Sequence, residues 1–331
     1  MLVSVIITAY DRRDFIQEAI DSVINQSLDK SRYEIITVTN FDFDPISRNT
    51  NLIKIIMDGT VGEFLECGIR VSKGEVIAFL DDDDLWEKNR LEIIADCFES
   101  VPNLSCYRNE IRNVDKNGFN MVNKFKVASI HSSPRKDEPP TLLDPNESNI
   151  VKLLGYNVVN LSSMAFRRED LDPILPIVNK IKGATDIFFF DSMVVSGKRI
   201  LFDPRELTIR RIHNSNKMFS KSQKMRGRAY EETIFTYMIV DTFASTTITN
   251  NKSVSDFFNV TEMCLKIISS TFGGEKRSLI FKELIDIAKM PHLLNWKLEL
   301  YALSSGLFYL IFPSSSFYSK LATLIYDANS N

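Results

Sequence analysis

Four short apolar runs rich in β-branched residues lie in the first 80 residues, and they constrain the fold more than any other feature. The runs are Val3–Thr8, Glu34–Thr39, Leu52–Met57 and Glu75–Leu80. Continuous apolar runs of this length predict strands that are buried on both faces of a parallel sheet. Apolar residues at helical spacing within 15–24 and 62–73 predict crossover helices. We therefore expect an α/β fold with a mostly parallel, Rossmann-like sheet flanked by helices.

The second half of the chain is predicted to complete this sheet and then to become helical. Residues 101–150 are polar and rich in turn formers, which predicts a mobile loop region. A strand within 158–169, a helix over Asp186–Ser196 that ends at Gly197, and a strand over Arg199–Phe202 follow. Long helical patterns dominate beyond about residue 220. We expect one domain over 1–220 and a helical C-terminal extension over 221–331.

Charge and cysteine usage exclude some classes of function and indicate a compartment. The formal net charge is -3, which lacks the basic excess of a nucleic-acid-binding protein. The four cysteines lie far apart with no CxxC pair, as in a protein of a reducing compartment. The first residues have neither the basic region nor the cleavage site of a secretory signal. We therefore expect a cytoplasmic protein, either dissolved or at the cytoplasmic face of a membrane.

Asp81, Asp82, Asp83 and Asp84 form an unbroken acidic run directly after the apolar strand VIAFL. Ligands bind outside the carboxyl ends of parallel strands, and this run is predicted to lie there. Carboxylates two residues apart face the same side of an extended chain, so Asp81 and Asp83 can share a hard cation while Asp82 points away. The alternative is a solvated turn that caps the next helix, predicted over Leu85–Phe98.

Four ordered motifs resemble those of the family 2 glycosyltransferases, which have a GT-A fold. They are VSVIITAYDRRDFIQEAIDSVINQS, GEVIAFLDDDDLW, GATDIFFFDSMVVSGKRI and RRIHNSN, and the resemblance covers roughly residues 1–215. It implies an inverting glycosyltransferase that uses a nucleoside-diphosphate sugar with Mn²⁺ or Mg²⁺. The family also implies an acceptor hydroxyl on a glycan or a lipid-linked glycan.

The resemblance assigns roles to individual residues. Thr8, Ala9 and Tyr10 would line the nucleoside pocket, Asp81 would contact the ribose side, with Asp82 beside it, and Asp83 would bind the metal. Asp186 becomes the candidate general base, although it could equally be the N-cap of its helix.

Two further segments of the motifs are assigned to the donor. Arg211 and His213, in the R-x-H element, would lie near the diphosphate, and His213 could also bind the metal together with Asp81 and Asp83. Where the family has an acidic residue after the second strand, this chain has Asn40, followed by Asp42. Because an amide both donates and accepts hydrogen bonds, a UDP-sugar is favoured.

Seven Lys or Arg residues and no acidic residue lie between Leu207 and Tyr230. This stretch is either a solvated face or a surface for the diphosphate, a lipid phosphate or an anionic membrane. An apolar segment over 296–312 either lies in a membrane interface or packs as ordinary core. We favour peripheral membrane contact through 296–312.

Two other classes of function are consistent with the same residues. A catalytically silent nucleotide- or carbohydrate-binding module could keep the fold, but the presence of Asp81, Asp83 and Asp186 together favours catalysis. A nucleotidyltransferase also binds phosphates through carboxylates and metal, but ITAYDRR contains no glycine for a phosphate loop. The sequence leaves open the sugar, the acceptor, the linkage and the oligomeric state.

Overall fold

A computed structural model describes residues 1–44, 52–121, 139–146, 153, 160–181, 185–213, 263–264, 267 and 277–287. The chain divides into two compact units. The first comprises Met1–Asn123, His131–Pro145 and Val158–Asn216 and contains the sheet. Of the second unit, the described part includes the helix Arg277–Ile287.

The described elements follow one another in the alternating order that the sequence predicts for the first hundred residues. The strands are β1 (Val3–Ala9), β2 (Tyr33–Thr39), β3 (Leu52–Ile56), β4 (Val76–Asp81), β5 (Leu85–Trp86), β6 (Leu104–Asp115), β7 (Thr141–Leu143), β8 (Met164–Arg167) and β9 (Arg199–Ile212). The helices are α1 (Ile16–Ile24), α2 (Val61–Val71), α3 (Arg90–Ser100), α4 (Arg168–Leu171), α5 (Leu175–Val178), α6 (Thr185–Val195) and α7 (Arg277–Ile287).

The described strands form one nine-stranded sheet in the order β3-β2-β1-β4-β8-β6-β9-β5, with β7 beside β9. Strands β3, β2, β1 and β4 are parallel, as predicted, and nearly every residue of β1, β2 and β4 is buried. In the other half, β6 and β9 are parallel, whereas β8 is antiparallel to both β4 and β6. The predicted α/β fold class is therefore confirmed.

The prediction of a loop over 101–150 is wrong at its start, because β6 occupies Leu104–Asp115. Some of the polar residues that suggested a loop form hydrogen bonds inside the sheet. The Asn109 amide, for example, is fully buried and donates to Thr208 Oγ1 on β9 over 2.9 Å. Strand β9 likewise extends ten residues beyond the predicted Phe202, because it pairs with β6 along its length. Residues 122–138 and 147–150 of the predicted mobile region lie outside the described residues.

The predicted start of the helix after the acidic run needs correction. Leu85 and Trp86 do not begin a helix, because they pair with β9, and α3 begins only at Arg90. Helix α1 begins after Phe15 without a side-chain cap. Gly197 does end α6 with a positive φ of 65°, as predicted.

Gly74 does not end α2 in a left-handed turn, because α2 ends at Val71. It lies instead against the start of β1, where its amide donates to Ser4 Oγ over 2.7 Å and an added Cβ would lie 2.5 Å from the Ser4 nitrogen. The same hydroxyl donates to Glu34 Oε1 over 2.6 Å, and the Lys73 amide donates to that oxygen over 2.5 Å. The amino ends of β1, β2 and β4 are thus joined by a buried and paired polar network.

Packing on one face of the sheet brings α2 unusually close to β1. A Cβ on Gly68 would lie 2.6 Å from Ile6 Cγ2, so a larger residue would push the helix away from the strand. The capping box between Thr60 and Glu63 fixes where α2 begins.

No helix among the described residues is both long and apolar enough to cross a membrane. Residues 296–312 and nearly all of the predicted 221–331 extension lie outside the described part.

Candidate active site

The acidic run lies where the parallel strand β4 ends, beside the end of β1. Asp81 is the last residue of β4 and is aligned with Thr8 of β1. The chain then turns, and the Asp84 amide donates to the Asp81 carbonyl over 3.2 Å. Asp82, Asp83 and Asp84 are all buried. This tight turn folds the run back on itself, so carboxylates that are adjacent in sequence stay close in space.

Three of these carboxylates could hold one cation. Oxygen atoms of Asp81, Asp83 and Asp84 all lie within 4.8 Å of one another. Burial and the neighbouring carboxylates raise the pKa of Asp81 well above its ordinary value, and burial with the charge of Asp83 raises that of Asp84 to about 7. Clustered oxygen ligands whose negative charges repel one another suit Mg²⁺ or Mn²⁺. The donor set therefore fits a hard divalent cation.

Asp82 points away from this cluster toward the loop after β1, where Arg12 binds it. The Arg12 guanidinium donates to Asp82 Oδ1 and Oδ2 over 2.5 and 2.7 Å, and Arg12 Nη2 lies 2.8 Å from Asp83 Oδ2. A two-point arginine–carboxylate contact fixes both side chains. Arg12 thereby places a positive charge at the rim of the acidic cluster.

His213 follows the last residue of β9 and lies against Asp83. Its Nε2 is 3.0 Å from Asp83 Oδ2 and 3.4 Å from Arg12 Nη1, and its ring centroid lies 5.0 Å from that of Phe15 with the ring planes tilted by 41°. The structure thus places His213 in contact with Asp83 and Asp83 beside Asp81, its fellow predicted metal ligand. The group whose ligand atoms all lie within 4.8 Å of one another consists of Asp81, Asp83 and Asp84, without His213, and the spacing argument did not single out Asp84.

Ser162, which lies just before β8, connects the acidic run to the sheet. Its hydroxyl accepts the Asp81 amide over 3.0 Å and donates to the Asp84 carboxylate. Its carbonyl accepts the Trp86 indole N–H over 2.8 Å and the Thr208 hydroxyl over 3.2 Å. Ser162 is fully buried. It therefore holds two of the candidate metal ligands at fixed positions.

Asp186 lies at the start of α6. It is close enough to the cluster for its charge to contribute to the raised pKa of Asp81. Burial raises the pKa of Asp186 itself to about 6, while Arg210 opposes that rise. Its Oδ1 also accepts the Ile187 amide over 3.0 Å, so it does contact the first turn of its helix. A carboxylate with a pKa near neutrality at a cluster of charges is suited to general base catalysis.

The adjacent arginines of β9 have different surroundings. Arg211 is buried and donates to Glu18 Oε2 over 2.5 Å and to the Lys116 carbonyl over 3.1 Å, with its guanidinium 4.5 Å above the Phe15 ring. Its backbone amide also donates to Asp84 Oδ1 over 3.2 Å. Arg210 instead interacts electrostatically with Asp84, Asp186 and Asp83. Arg211 thus holds the turn and α1 in place through its hydrogen bonds. Of these two arginines, Arg210 is the one whose side-chain charge acts on the carboxylates.

The residues predicted to contact the nucleoside lie at the ends of β1 and β2. Thr8 and Ala9 are the last residues of β1, and Tyr10, which follows them, is 59% exposed with its ring 6.1 Å from that of Phe64. Asn40 follows β2 and is hydrogen-bonded to Asp11. Asp42 lies farther out, paired with Lys54 over 2.6 Å. Their contacts with a donor stay a prediction.

Sequence reasoning missed Arg12, Ser162 and the separate role of Arg210. Arg12 could have been found, because it closely follows Thr8, Ala9 and Tyr10, which the resemblance assigns to the nucleoside pocket. Arg210 was grouped with the basic stretch. Ser162 carries no signal in the sequence, since a serine before a strand is common. Its role depends on a hydrogen bond with Asp81, which is 81 residues earlier in the chain.

Comparisons with known proteins give a consistent result. The model of the family described as Glycosyl transferase family 2 matches residues 4–172. The poly(ribitol-phosphate) beta-glucosyltransferase of Bacillus spizizenii is 34% identical over 95 residues, which are 25% of this chain and 15% of that protein. The chain therefore spans a small part of that relative's length. An uncharacterized glycosyltransferase of Haemophilus influenzae is 22% identical over 318 residues, covering 92% of this chain and 94% of that protein.

Among solved structures, the crystal structure of S. aureus TarS 1–349 in complex with UDP-GlcNAc is similar with a TM-score of 0.63. The sequence identity is 16%, and the match covers 94% of this chain and 89% of that chain. At this identity the likeness concerns the fold alone.

Proposed function

The chain belongs to glycosyl transferase family 2, as its motifs predicted, and we propose that it is an inverting glycosyltransferase that uses a nucleoside-diphosphate sugar. One observation carries the proposal. The carboxylate cluster of Asp81, Asp83 and Asp84 lies at the carboxyl end of β4, close enough to Asp186 for their charges to interact. A cation site and a candidate base at one sheet edge are the two groups that such a displacement needs.

Asp81, Asp83 and Asp84 would hold Mn²⁺ or Mg²⁺, with His213 at the edge of the same group. When bound, the cation would stabilise the negative charge that develops on the departing diphosphate. Arg12, held on Asp82 at the rim, adds a fixed positive charge beside the same position. The protein groups around the site therefore favour an anionic leaving group.

Asp186 would act as the general base. With a pKa of about 6, it is mostly ionised at pH 7 and can accept the proton of the acceptor hydroxyl. As that oxygen forms its bond to the anomeric carbon, the bond between this carbon and the diphosphate breaks, and the diphosphate leaves with the electron pair. A single displacement of this kind inverts the configuration at the anomeric carbon.

The donor is proposed to be a UDP-sugar and the acceptor a glycan or a lipid-linked glycan. The similarity to a TarS structure that is in complex with UDP-GlcNAc supports the uracil base. We also propose a catalytic domain over 1–220 and a helical extension over 221–331, with peripheral membrane contact through 296–312. A cytoplasmic location at the membrane face would suit a lipid-linked acceptor.

The test is release of UDP from UDP-sugars by the purified chain, with and without Mn²⁺. We expect metal-dependent release that Asp83→Ala abolishes. Asp96→Ala, which removes an exposed carboxylate on α3, is the matched control and should keep the activity. Binding of UDP without any turnover would instead support a silent binding module. Diphosphate formed from a nucleoside triphosphate and a sugar phosphate would reveal a nucleotidyltransferase.

A further inference from the structure

Strand β1 lies between β2 and β4 in the sheet, so the loop after β1 lies between the carboxyl ends of these two strands. Asp11 in this loop has a φ of 55°, a left-handed conformation that few residues other than glycine adopt. Asp and Asn tolerate it better than other side chains, but it still needs support from surrounding contacts. The support at Asp11 comes from the end of β2.

Asn40 and Asp11 are joined by two reciprocal hydrogen bonds. The Asp11 backbone amide donates to Asn40 Oδ1 over 2.9 Å, and Asn40 Nδ2 donates to Asp11 Oδ1 over 2.7 Å. These bonds use the side-chain oxygen of Asn40 and one of its amide hydrogens. The pair therefore fixes both the backbone and the side chain of Asp11.

The residues on either side of Asp11 point to the site. Tyr10 is exposed at the predicted nucleoside end, and Arg12 turns the other way to bind Asp82 and Asp83 after β4. The three consecutive residues thus connect the ends of β2, β1 and β4. If Asp11 left its left-handed conformation, the direction of Arg12 relative to Tyr10 would change.

We propose that Asp11 and Asn40 form a positioning pair that fixes the β1–α1 turn and so presents Tyr10 and Arg12 to the donor nucleotide. The nucleotide part of this inference rests on the proposed function. Asn40 acts here through Asp11, which differs from the direct reading of the base that the family resemblance suggested. The two roles give different results when the amide and the carboxylate are exchanged.

The experiment uses four variants of the full chain: Asn40→Ala, Asn40→Asp, Asp11→Asn, and the exchange Asp11→Asn with Asn40→Asp. Asn40→Asp sets two carboxylates against each other, whereas the exchange restores one amide and one carboxylate. Asp11→Asn keeps the acceptor and tolerates a positive φ, so it changes only the charge of the pair. A fifth variant, Asp14→Asn, removes an exposed carboxylate of the same loop outside the pair and is the matched control. The measurements are the Kd for UDP with Mn²⁺ by calorimetry, KM and kcat, and preference among nucleoside diphosphates.

We expect Asn40→Asp to raise the Kd for UDP about tenfold, the effect of losing one to two hydrogen bonds. Asp11→Asn should change it less than about twofold, and the exchange should return it to within about threefold of the original value. The change should appear in KM for the donor more than in kcat. If the exchange binds UDP as weakly as Asn40→Asp alone, or prefers another base, Asn40 reads the base and the positioning role is wrong.

A second measurement separates this inference from the proposed function. Hydrogen exchange of the peptide over 9–15 needs no nucleotide, and Asn40→Ala removes the acceptor of the Asp11 amide. We expect about tenfold faster exchange there, with unchanged exchange in α2. Equal exchange in both proteins would overturn the pairing, whatever the chain binds. Failure of the original protein to bind any nucleoside diphosphate, with the exchange result as expected, would overturn the nucleotide part together with the proposed function.

Discussion

The two ends of the parallel strands are built from similar polar residues but differ in how their charges are satisfied. At the amino ends, the carboxylate of Glu34 accepts hydrogen bonds from Ser4 and from the Lys73 amide, and Arg168 donates to the Ser72 hydroxyl and to the Gly74 carbonyl. At the carboxyl ends, burial and mutual repulsion raise the pKa values of Asp81 and Asp84. At the amino ends the carboxylate accepts hydrogen bonds from neutral groups, whereas at the carboxyl ends several carboxylates still repel one another although Arg12 and Ser162 bind them. A bound cation can relieve that repulsion.

This difference teaches which buried carboxylates stabilise the fold and which serve the site. Hydrogen-bonded polar groups contribute to folding, whereas like charges held together in a buried place cost stability unless something binds there. Residual repulsion at a sheet edge is therefore an indicator of function, in line with the clustering of shifted pKa values at active sites. The predictions that follow test whether the two ends separate in this way.

The largest effect is expected for Asp186→Asn. Loss of a general base typically lowers turnover by a factor of about 10² to 10⁴, so we expect kcat to fall about 10³-fold with little change in the Kd for UDP. Asp191→Asn is the control, because burial raises the pKa of this carboxyl well above its ordinary value and an amide resembles the neutral acid. If Asp186→Asn loses stability but keeps kcat, Asp186 is a helix cap with a structural role, as Glu34 has at the amino end.

Ser162→Ala should have the next largest effect. Residues that orient metal ligands typically contribute about ten- to hundredfold to metal affinity, and Ser162 binds both Asp81 and Asp84. We expect the Kd for Mn²⁺, measured by calorimetry, to rise by that factor. Ser163→Ala is a matched control, because its hydroxyl donates to the Asn160 carbonyl and is equally buried. Equal effects of both variants would indicate general loosening of the turn.

Glu34→Ala tests the amino end and should change stability alone. We expect the free energy of unfolding, measured by urea denaturation, to fall by about 1.5 kcal/mol, because the Ser4 hydroxyl and the Lys73 amide lose their acceptor. Glu75→Ala, an exposed carboxylate beside the same network, should cost less than about 0.5 kcal/mol. A loss of Mn²⁺ or UDP affinity in Glu34→Ala would break the separation of the two ends.

The sequence predicted the parallel half of the fold and the acidic run well, for physical reasons. Continuous apolar runs are buried on both faces of the sheet, so β1, β2 and β4 are visible in composition alone, and a run of four aspartates after such a strand has few structural uses. Strand β6 escaped prediction because its buried polar residues, such as Asn109, are satisfied by partners about a hundred residues away. Ser162 escaped for the same reason, since its importance depends on contacts and not on residue type.

The smallest expected effect is a pH dependence of the metal-free protein. The pKa of Asp84 is about 7 in the folded chain, above its ordinary value of 3.8, so the folded state holds this proton more tightly than the unfolded chain. The stabilising contribution is therefore complete below about pH 4 and is lost as the pH rises through 7. We expect Tm to fall between pH 5 and 8 on this account, with most of the fall below pH 7.

Asp84→Asn isolates that contribution, because an amide does not titrate. The difference in Tm between the original chain and Asp84→Asn, both without metal, should change with pH, whereas the exposed Asp96→Asn should show the original slope. Added Mn²⁺ should reverse the sign, since ionised carboxylates bind the cation and the bound form is stabilised as the pH rises. A metal-free Tm difference that increases with pH would mean that the hydrogen bonds of Asp84 stabilise the fold, as those of Glu34 do. The two ends of the strands would then not differ in the way that the proposed function requires.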